Sequence, residues 1–429
     1  MKKMFFILCA GLASASGCND VVIETDIFTH WVNEPVFMNT DAFRQSVQIT
    51  TKARVINNYG KMCFYDGYLY ISESEEGIHI IDNTDPSNPQ NVGFIELLGN
   101  VDLAIRNNKL YADAYIDLVW FDITDPQNPE LEGRLENVFD KCLPLPSTGN
   151  NYLIDYKMCY DEKGSSKGVV VGWELKERTD ISTLRTEFSY RAEKMDAVTS
   201  IRMSNGSSSS VGINGSMSRF SLYQDYLYSV INNYMSIFDL SVNPPKKAVD
   251  DIPIGFNVET IFSYKEYMFM GTPTGMMIYS VANPLKPEFV RAVWHIFGCD
   301  PVVVENDMAY VTIHSGNACG QTNNDLMIYD VSDVSDPKHI VTYAMKNPKG
   351  LGIDNTTLFV CDDGLKIFNA SNPQTLMANR LAHYAGMDGY DVIPFDNVLM
   401  MIADDGLYQY DYSDLTQIRQ LSKLPIEKP

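Results

Sequence analysis

The sequence predicts an all-β fold, a β-propeller of four-stranded blades, and two observations support this. One pattern recurs with a period of about 40 residues: a Tyr-rich run is followed by a run that ends in Asp, as in 68–71 with 78–82 and 110–112 with 118–122. Each copy consists of short aromatic and β-branched runs bounded by Gly, Asn, Asp and Pro, which is typical of strands. A typical copy has room for four such runs, and none shows the periodicity of a long helix, so each copy predicts one propeller blade.

The number of blades follows from the number of copies. Eight segments align, and they predict eight blades, with seven as the alternative because the third and fourth copies carry long inserts and lack the Asp-Pro link of the first two. The copy at 152–173 is the most degenerate. The aligned segments are 68–82, 110–122, 152–173, 226–239, 267–279, 309–330, 358–368 and 399–411.

The link Asp85-Pro86-Ser87-Asn88-Pro89 predicts a tight turn between the third and fourth strands of a blade. An Asp side chain accepts a hydrogen bond from the backbone two residues later, and Pro fixes its own φ angle. This turn chemistry explains the repeated aspartates without a calcium ion.

The first residues predict an export signal. Lys2 and Lys3 precede an apolar run and a stretch of small residues that ends at Cys18. The end of this segment resembles the bacterial lipobox, although Ala15 stands where that motif usually has Leu. We therefore expect a signal peptide over 1–17 and lipidation of Cys18, with cleavage near the same place and no lipid as the alternative; residues 18–50 are interpreted as a tether and 51–429 as the propeller.

Charge excludes one class of partner. The 33 Lys and Arg residues are outnumbered by 55 Asp and Glu residues, which gives a net charge of −22. Such a surface repels the phosphate backbone of nucleic acids. No internal stretch reaches the roughly 18 apolar residues of a spanning helix, so membrane contact is expected through the lipid anchor only.

Two segments resemble a known family, the LVIVD-repeat propellers of bacterial envelope lipoproteins. They are 77–82 (GIHIID) with 85–89 (DPSNP), and 363–368 (DGLKIF). The resemblance covers about residues 58–424 and implies a propeller of the bacterial cell envelope, on the outer membrane of a Bacteroides-like organism. The family carries no agreed activity.

The long inserts predict which face of the propeller binds a ligand. If the strands of a blade run A to D outward from the axis, the B–C loops and D–A links share one side, the insert face, and the A–B and C–D turns share the other, the turn face. The inserts fall in D–A links and B–C loops, and extra length on one face of a repeat protein favours binding there. They are 141–149, 161–168, 204–216 and 314–325.

The same alignment predicts a ring of charges at the channel mouth, where the A strands begin. Four carboxylates and three cations could bind a polar or zwitterionic ligand, the acids could share a metal ion, or the groups could pair with one another. We assign no metal and no cofactor. The candidate ligand-binding residues are Lys61, Asp102, Arg219, Glu259, Asp300, Lys349 and Asp391.

Six cysteines remain after those of the signal segment are set aside. In an oxidising compartment we expect two disulfides, Cys142 with Cys159 and Cys299 with Cys319, each bracing the insert face. Cys63 and Cys361 fall within strands and are expected to be buried thiols.

Motifs for catalysis are absent from the sequence: there is no Gly-x-Ser-x-Gly, no phosphate loop and no His-Glu-x-x-His, and the six histidines show no ligand spacing. The sequence therefore favours a non-enzymatic binding propeller with a protein or glycan ligand. Two alternatives stay open. One is a polysaccharide-active enzyme, because carboxylate pairs can come from different blades; the other is a structural subunit of an envelope complex.

Overall fold

The computed structural model of the protein arranges its strands as seven blades around a central channel. The all-β propeller prediction is confirmed, and the alternative of seven blades is right where eight was favoured. The structure describes residues 26–139, 142–146, 152–154, 156–160, 167–182, 211–231, 233–254, 258–294, 301–314 and 323–426.

The segment before the blades is folded, so the tether interpretation is wrong for residues 26–50. It forms β1 (Asp26–Met38), α1 (Thr40–Gln45) and β2 (Gln48–Thr50). Phe43 of α1 is buried against Tyr115 of the second blade, with ring centroids 6.2 Å apart. Arg44 pairs with the buried carboxylate of Asp117 at 2.9 Å. Burial of one aromatic ring and one ion pair holds the helix on the propeller.

Blades 1 and 2 follow the predicted four-strand repeat. Blade 1 contains β3 (Tyr59–Tyr65), β4 (Tyr68–Glu73), β5 (Gly77–Asp82) and β6 (Gln90–Glu96); blade 2 contains β7 (Leu103–Arg106), β8 (Lys109–Ala114), β9 (Asp117–Asp122) and β10 (Glu130–Leu135). The chain then leaves the repeat and forms β11 (Leu153–Ile154), β12 (Val169–Ser182) and β13 (Ile213–Asn214).

Blades 3 to 7 each consist of four consecutive strands. Blade 3 contains β14 (Phe220–Tyr223), β15 (Tyr226–Ile231), β16 (Tyr234–Asp239) and β17 (Lys246–Pro253), and blade 4 contains β18 (Thr260–Tyr264), β19 (Tyr267–Thr272), β20 (Gly275–Ser280) and β21 (Glu288–Trp294). Blade 5 contains β22 (Val302–Glu305), β23 (Met308–Ile313), β24 (Asp325–Asp330) and β25 (Lys338–Ala344), and blade 6 contains β26 (Leu351–Asp354), β27 (Thr357–Cys361), β28 (Leu365–Asn369) and β29 (Arg380–Tyr384). Blade 7 contains β30 (Gly389–Phe395), β31 (Val398–Ala403), β32 (Gly406–Asp411) and β33 (Arg419–Pro425).

The turns between the third and fourth strands have the predicted chemistry. The Asp85 carboxylate accepts a hydrogen bond from the backbone N–H of Ser87 at 2.9 Å, and Asp125 accepts one from Gln127 at 3.1 Å. The aspartates that end the third strands act in the same way, as Asp122 does with Thr124 at 2.8 Å. These side chains fix short turns on the turn face.

The copy at 152–173 forms no blade because its strands belong to a different sheet. β12 pairs antiparallel with β1 along the whole length of that strand, and β11 lies on the other side of β1. The prediction of strands within 152–173 is confirmed, but these strands pair with β1 of the N-terminal segment rather than with a blade. The base of this accessory sheet, at Met38 and Val169, packs against the core of blades 1 and 2.

Blades 1 and 7 close the propeller through side chains, since each blade takes its four core strands from one continuous stretch of chain. Asn83 donates a hydrogen bond to the side-chain oxygen of Gln409 at 3.1 Å, and both are buried. Phe64 packs on Phe395 with ring centroids 5.1 Å apart. Contacts of this kind define one hydrophobic cluster shared by the two blades.

A segment between the accessory sheet and blade 3 runs through the central channel; we call residues 211–218 the channel strand. Within it, β13 pairs antiparallel with β3 of blade 1. Gly212 donates its N–H to the carbonyl of Ile105 at 2.7 Å, and Gly215 donates to Met62 at 3.0 Å. The prediction that 204–216 lies in an insert-face link is therefore wrong for 211–216, because inner strands offered free hydrogen-bonding edges to this small and polar sequence.

The other inserts differ in where they lie. Residues 314–325 connect β23 to β24, which is a B–C loop as predicted. Residues 142–146 lie on the insert face, where Leu145 donates its N–H to Glu75 at 2.9 Å. Residues 167 and 168 directly precede β12, which belongs to no blade, and residues 161–166 lie outside the described residues.

Gly215 tests the fit of the channel strand. A Cβ at this position would lie 2.2 Å from the Asp391 carboxylate, whereas a Cβ at Gly172 of β12 would meet nothing within 4 Å. We expect Gly215→Ala to lower the free energy of unfolding by about 1–3 kcal/mol through overpacking. Gly172→Ala should leave it unchanged or slightly higher. Urea unfolding measures both, and equal stability of the two variants would contradict the position of the channel strand.

No helix in the part of the chain that the structure describes is long and apolar enough to cross a membrane.

Candidate functional site

The predicted ring residues do lie where the inner strands begin. Asp102, Arg219 and Glu259 come directly before β7, β14 and β18, and Lys349 comes two residues before β26. Lys61 and Asp391 are each the third residue of an inner strand, β3 and β30. Asp300 lies outside the described residues. The charges of Asp102, Arg219, Asp391 and Glu259 all act on the Lys61 ammonium.

Most of this ring is buried rather than open to solvent. The exposed fractions are 2% for Lys61, 1% for Asp102, 8% for Glu259 and 0% for Asp391. The channel strand covers them, and its residues 214–218 are themselves buried. A ligand on the insert face therefore cannot touch Lys61 or Asp391 unless the channel strand moves.

The buried acids accept their hydrogen bonds from serine and backbone donors. Asp391 Oδ1 accepts from the N–H and the hydroxyl of Ser216 at 2.7 and 2.8 Å, and from the N–H of Val392 at 2.9 Å. Asp102 accepts from the hydroxyl of Ser218 at 2.5 Å and from the backbone N–H of Arg219. These bonds attach the channel strand to blades 2 and 7.

The buried ammonium of Lys61 is not bonded in this way. Among the described residues, Lys61 Nζ has no hydrogen-bond partner although it is buried, and neither does Asp391 Oδ2. Burial lowers the pKa of Lys61 to about 7, because the attraction of Asp102 and Asp391 only partly offsets the loss of hydration. Burial likewise raises the pKa of Asp391 to about 7.

Lys349 does not join the buried cluster. Its ammonium pairs with the Asp388 carboxylate at 2.7 Å, at the solvent-exposed edge of the ring. Asp388 therefore pairs with Lys349 outside the buried cluster, whereas Asp391 belongs to the cluster.

A pocket lies above this cluster on the insert face, between blades 1, 2 and 3; we call it the mouth pocket. It is the one place where a ring residue meets a cavity among the pockets described for the chain. It is lined by Glu75, Gly99, Val101, Asp113, Tyr115, Cys142, Leu143, Leu145, Arg219 and Ile231.

The acids of the mouth pocket accept backbone hydrogen bonds, and burial raises the pKa of each. Asp113 Oδ1 accepts from the backbone N–H groups of Val101 and Asp102 at 2.8 and 2.9 Å, and burial raises its pKa to about 7. Burial also raises the pKa of Glu75, which accepts the N–H of Leu145. The Arg219 guanidinium, in contrast, makes no hydrogen bond or ion pair with any described residue.

Asp113 belongs to a set that the sequence analysis missed. A carboxylate at the end of the second strand accepts backbone N–H groups from the link before the first strand of the same blade. Glu73 accepts from Asn58 at 2.6 Å, and Asp362 accepts from Asn347 at 2.7 Å. The available signal was an acidic residue at or next to the end of the second strand in several copies, namely Glu73, Asp113, Asp362 and Asp404.

The cysteine predictions have three outcomes. Cys63 and Cys361 are buried thiols, as predicted. No disulfide joins Cys142 to Cys159, contrary to the expected pair. The reason is their placement: Cys142 lines the mouth pocket, where burial raises the pKa of its thiol to about 12, while Cys159 follows β11 at the accessory sheet. Cys18, Cys299 and Cys319 lie outside the described residues.

The described residues contain no group of three or more His, Cys, Asp or Glu side chains placed to share a metal ion.

Asp391 gives a pH test of the cluster. Its pKa of about 7 exceeds the ordinary 3.8, so its protonated form stabilises the fold below pH 4 and this contribution is lost as the pH rises to 7. Between about pH 5 and pH 7 the wild type should lose at least about 1 kcal/mol of unfolding free energy relative to Asp391→Asn. The pKa of Lys61 is lowered, so its effect on the free energy of unfolding has the opposite sign: stability rises with pH above about pH 7.

Asp396→Asn provides the control, because Asp396 is an exposed carboxylate of the same blade. Urea unfolding of the three proteins across this pH range measures the differences. Parallel pH profiles for the wild type and Asp391→Asn would contradict a buried carboxyl with a raised pKa.

The comparisons with known proteins agree with the fold. The LVIVD repeat model matches residues 62–95 and 302–344, which correspond to most of blade 1 and to blade 5. The chain therefore carries LVIVD repeats within a β-propeller. No curated protein matches the sequence.

Several solved structures are similar at low identity. A proposed 6-phosphogluconolactonase from Bacteroides uniformis is 11% identical with a TM-score of 0.49, covering 87% of this chain and 98% of that one. A protein of unknown function from Desulfotomaculum acetoxidans is 11% identical with a TM-score of 0.48, covering 87% and 100%. The computationally designed protein Ika8 is 8% identical with a TM-score of 0.47, covering 92% and 91%.

Proposed function

We propose that this protein is a non-enzymatic binding propeller that engages a ligand or protein partner through its insert face. The mouth pocket carries this proposal, because it is a concave site on that face and contains a charged group, Arg219, without a partner among the described residues. Ligand sites are typically concave, with mostly apolar walls and a few polar groups that orient the ligand.

The state of the ring acids supports binding over catalysis. A glycoside hydrolase needs two carboxyl groups that face a sugar from opposite sides. Asp102 and Asp391 are buried and already accept hydrogen bonds from the channel strand. They act as structural groups, so the enzymatic alternative would need other carboxylates.

A glycan or a protein could occupy the insert face. Two exposed aromatic rings on the accessory sheet favour a glycan. Trp31 and Tyr152 are both 44% exposed, with ring centroids 6.4 Å apart. Exposed aromatic rings that lie side by side suit the apolar faces of sugar rings. Trp173 ties this sheet to the insert face by donating a hydrogen bond to the carbonyl of Pro144 at 2.7 Å.

We also propose that the protein is held at the bacterial cell envelope, at the outer membrane, by a lipid on Cys18. The support is the sequence of the first 18 residues, with two lysines, an apolar run and small residues before the cysteine. Attachment by a single lipid region would leave the propeller accessible to ligands.

The choice of face can be tested by site-specific photocrosslinking in the native envelope. A benzophenone side chain in place of Leu145, which is 41% exposed on the insert face, should crosslink a specific partner or glycan conjugate. The same group in place of Leu415, which is 37% exposed on a C–D turn, is the matched control and should not. Crosslinks at Leu415 but not at Leu145 would overturn the proposal.

The anchor can be tested separately. Cys18→Ala should move the protein from the membrane fraction to the soluble fraction, because the acyl chain supplies the membrane affinity. Fractionation after a high-salt wash measures this, with Cys63→Ser as the control that retains Cys18. A Cys18→Ala protein that stays in the membrane fraction would show that the anchor is assigned to the wrong residue.

A further inference from the structure

We propose that the mouth pocket binds a carboxylate with an apolar body, and that Arg219 is the residue that holds the anion. This inference rests on the proposed function and names the ligand chemistry of the same site. The carboxylate could belong to a small organic acid or to the C-terminus of a peptide, since both present the same anion.

The first argument is the unsatisfied capacity of Arg219. A guanidinium has five N–H donors in a planar arrangement that matches a carboxylate, and Arg is usually paired when it is partly buried. Arg219 is partly buried in the pocket wall, and its side chain has no partner among the described residues. Its backbone N–H, in contrast, is bound to Asp102.

The second argument is that the nearby acids do not compete for Arg219. Asp102 and Asp113 use their oxygens on serine and backbone donors, and Glu75 accepts the N–H of Leu145. Burial raises the pKa of all three carboxyls, although the positive charge of Arg219 opposes that shift at Asp102 and Asp113. Lys61 and Arg219 are close enough for their charges to interact, and Lys61 adds positive charge whenever it is protonated.

The third argument is the rest of the wall. Val101, Leu143 and Ile231 give the pocket an apolar lining, and the ring of Tyr115 extends it. The cavity volume of the pocket is about 50 Å³, which is room for a few water-sized groups, so the pocket holds a carboxylate and a short apolar chain while the rest of a ligand lies at its open mouth. The site therefore combines one anion-binding group with an apolar compartment.

Matched probes separate charge from shape. We would measure binding of 4-methylpentanoate and of 3-methylbutylamine by calorimetry, since the two share a branched apolar body and differ in the sign of the charge. The peptide Gly-Gly-Leu and its C-terminal amide form the second pair. The acid should bind and the amine should not; binding of Gly-Gly-Leu but not of its amide would identify a peptide terminus as an accepted source.

Variants of Arg219 test the residue itself. Arg219→Gln should weaken binding of the carboxylate at least tenfold, which equals about 1.4 kcal/mol, and Arg219→Lys should retain part of the affinity because it keeps the charge without the planar pair of donors. Arg291→Gln changes an exposed arginine of blade 4 and should bind like the wild type. Thermal unfolding checks that each variant is folded.

Three results would overturn the inference: no binding of either acid by the wild type at millimolar concentration, binding of the amine in place of the acid, or full affinity in Arg219→Gln. The comparison of acid with amine uses the wild type alone, so it stands even if a variant fails to fold. If the acids do not bind while the crosslink at Leu145 persists, the carboxylate inference fails and the proposed function survives.

Discussion

The hydrogen bonds from Ser216 and Ser218 to buried carboxylates are the interaction on which the rest of the structure depends. A buried carboxylate without partners costs several kcal/mol, so Asp102 and Asp391 require donors at the centre of the propeller. The channel strand supplies them, and in doing so it connects several blades: Ser216 bonds to Asp391 of blade 7 and also accepts the N–H of Leu351 in blade 6, at 2.7 Å. The blades share no core strand with one another, and these hydrogen bonds link them at the axis of the propeller.

This central cross-link also determines where a ligand can bind. Because the channel strand fills the space between β3 and β7, the buried cluster contributes electrostatic potential to the insert face but no contact surface. Arg219 is the exception, because it stands at the end of the channel strand, with its backbone bound to Asp102 and its side chain in the mouth pocket. Arg219 therefore ends the channel strand and still presents its side chain to solvent in the mouth pocket.

The sequence predicted the features that repeat and missed those that do not. Asp102, Glu259 and Asp391 were found because a period of about 40 residues places equivalent positions at the same radius in every blade. The channel strand could not be found in this way, since it is a single copy whose partners are distant in sequence: Asp391 lies 175 residues after Ser216, and β3 precedes the channel strand by a similar separation. Residues 169–173 were correctly predicted as a strand, yet strand chemistry does not reveal whether the partner is a blade or β1.

The negative net charge of the protein does not exclude an anion site, because its effect depends on distance. A net charge of −22 opposes the approach of any anion, but at physiological salt the field of remote surface charges is screened within about 8 Å. At contact the groups within the pocket decide, and there the carboxyls of Asp113 and Glu75 have raised pKa values while the guanidinium has no partner among the described residues. The acidic surface would then slow association and disfavour highly charged polyanions, whereas a ligand with a single carboxylate and an apolar body pays little at long range and gains a planar pair of hydrogen bonds at Arg219. The combination of a repelling surface and an attracting pocket selects for small net charge, which is a constraint on the ligand that neither feature would impose alone.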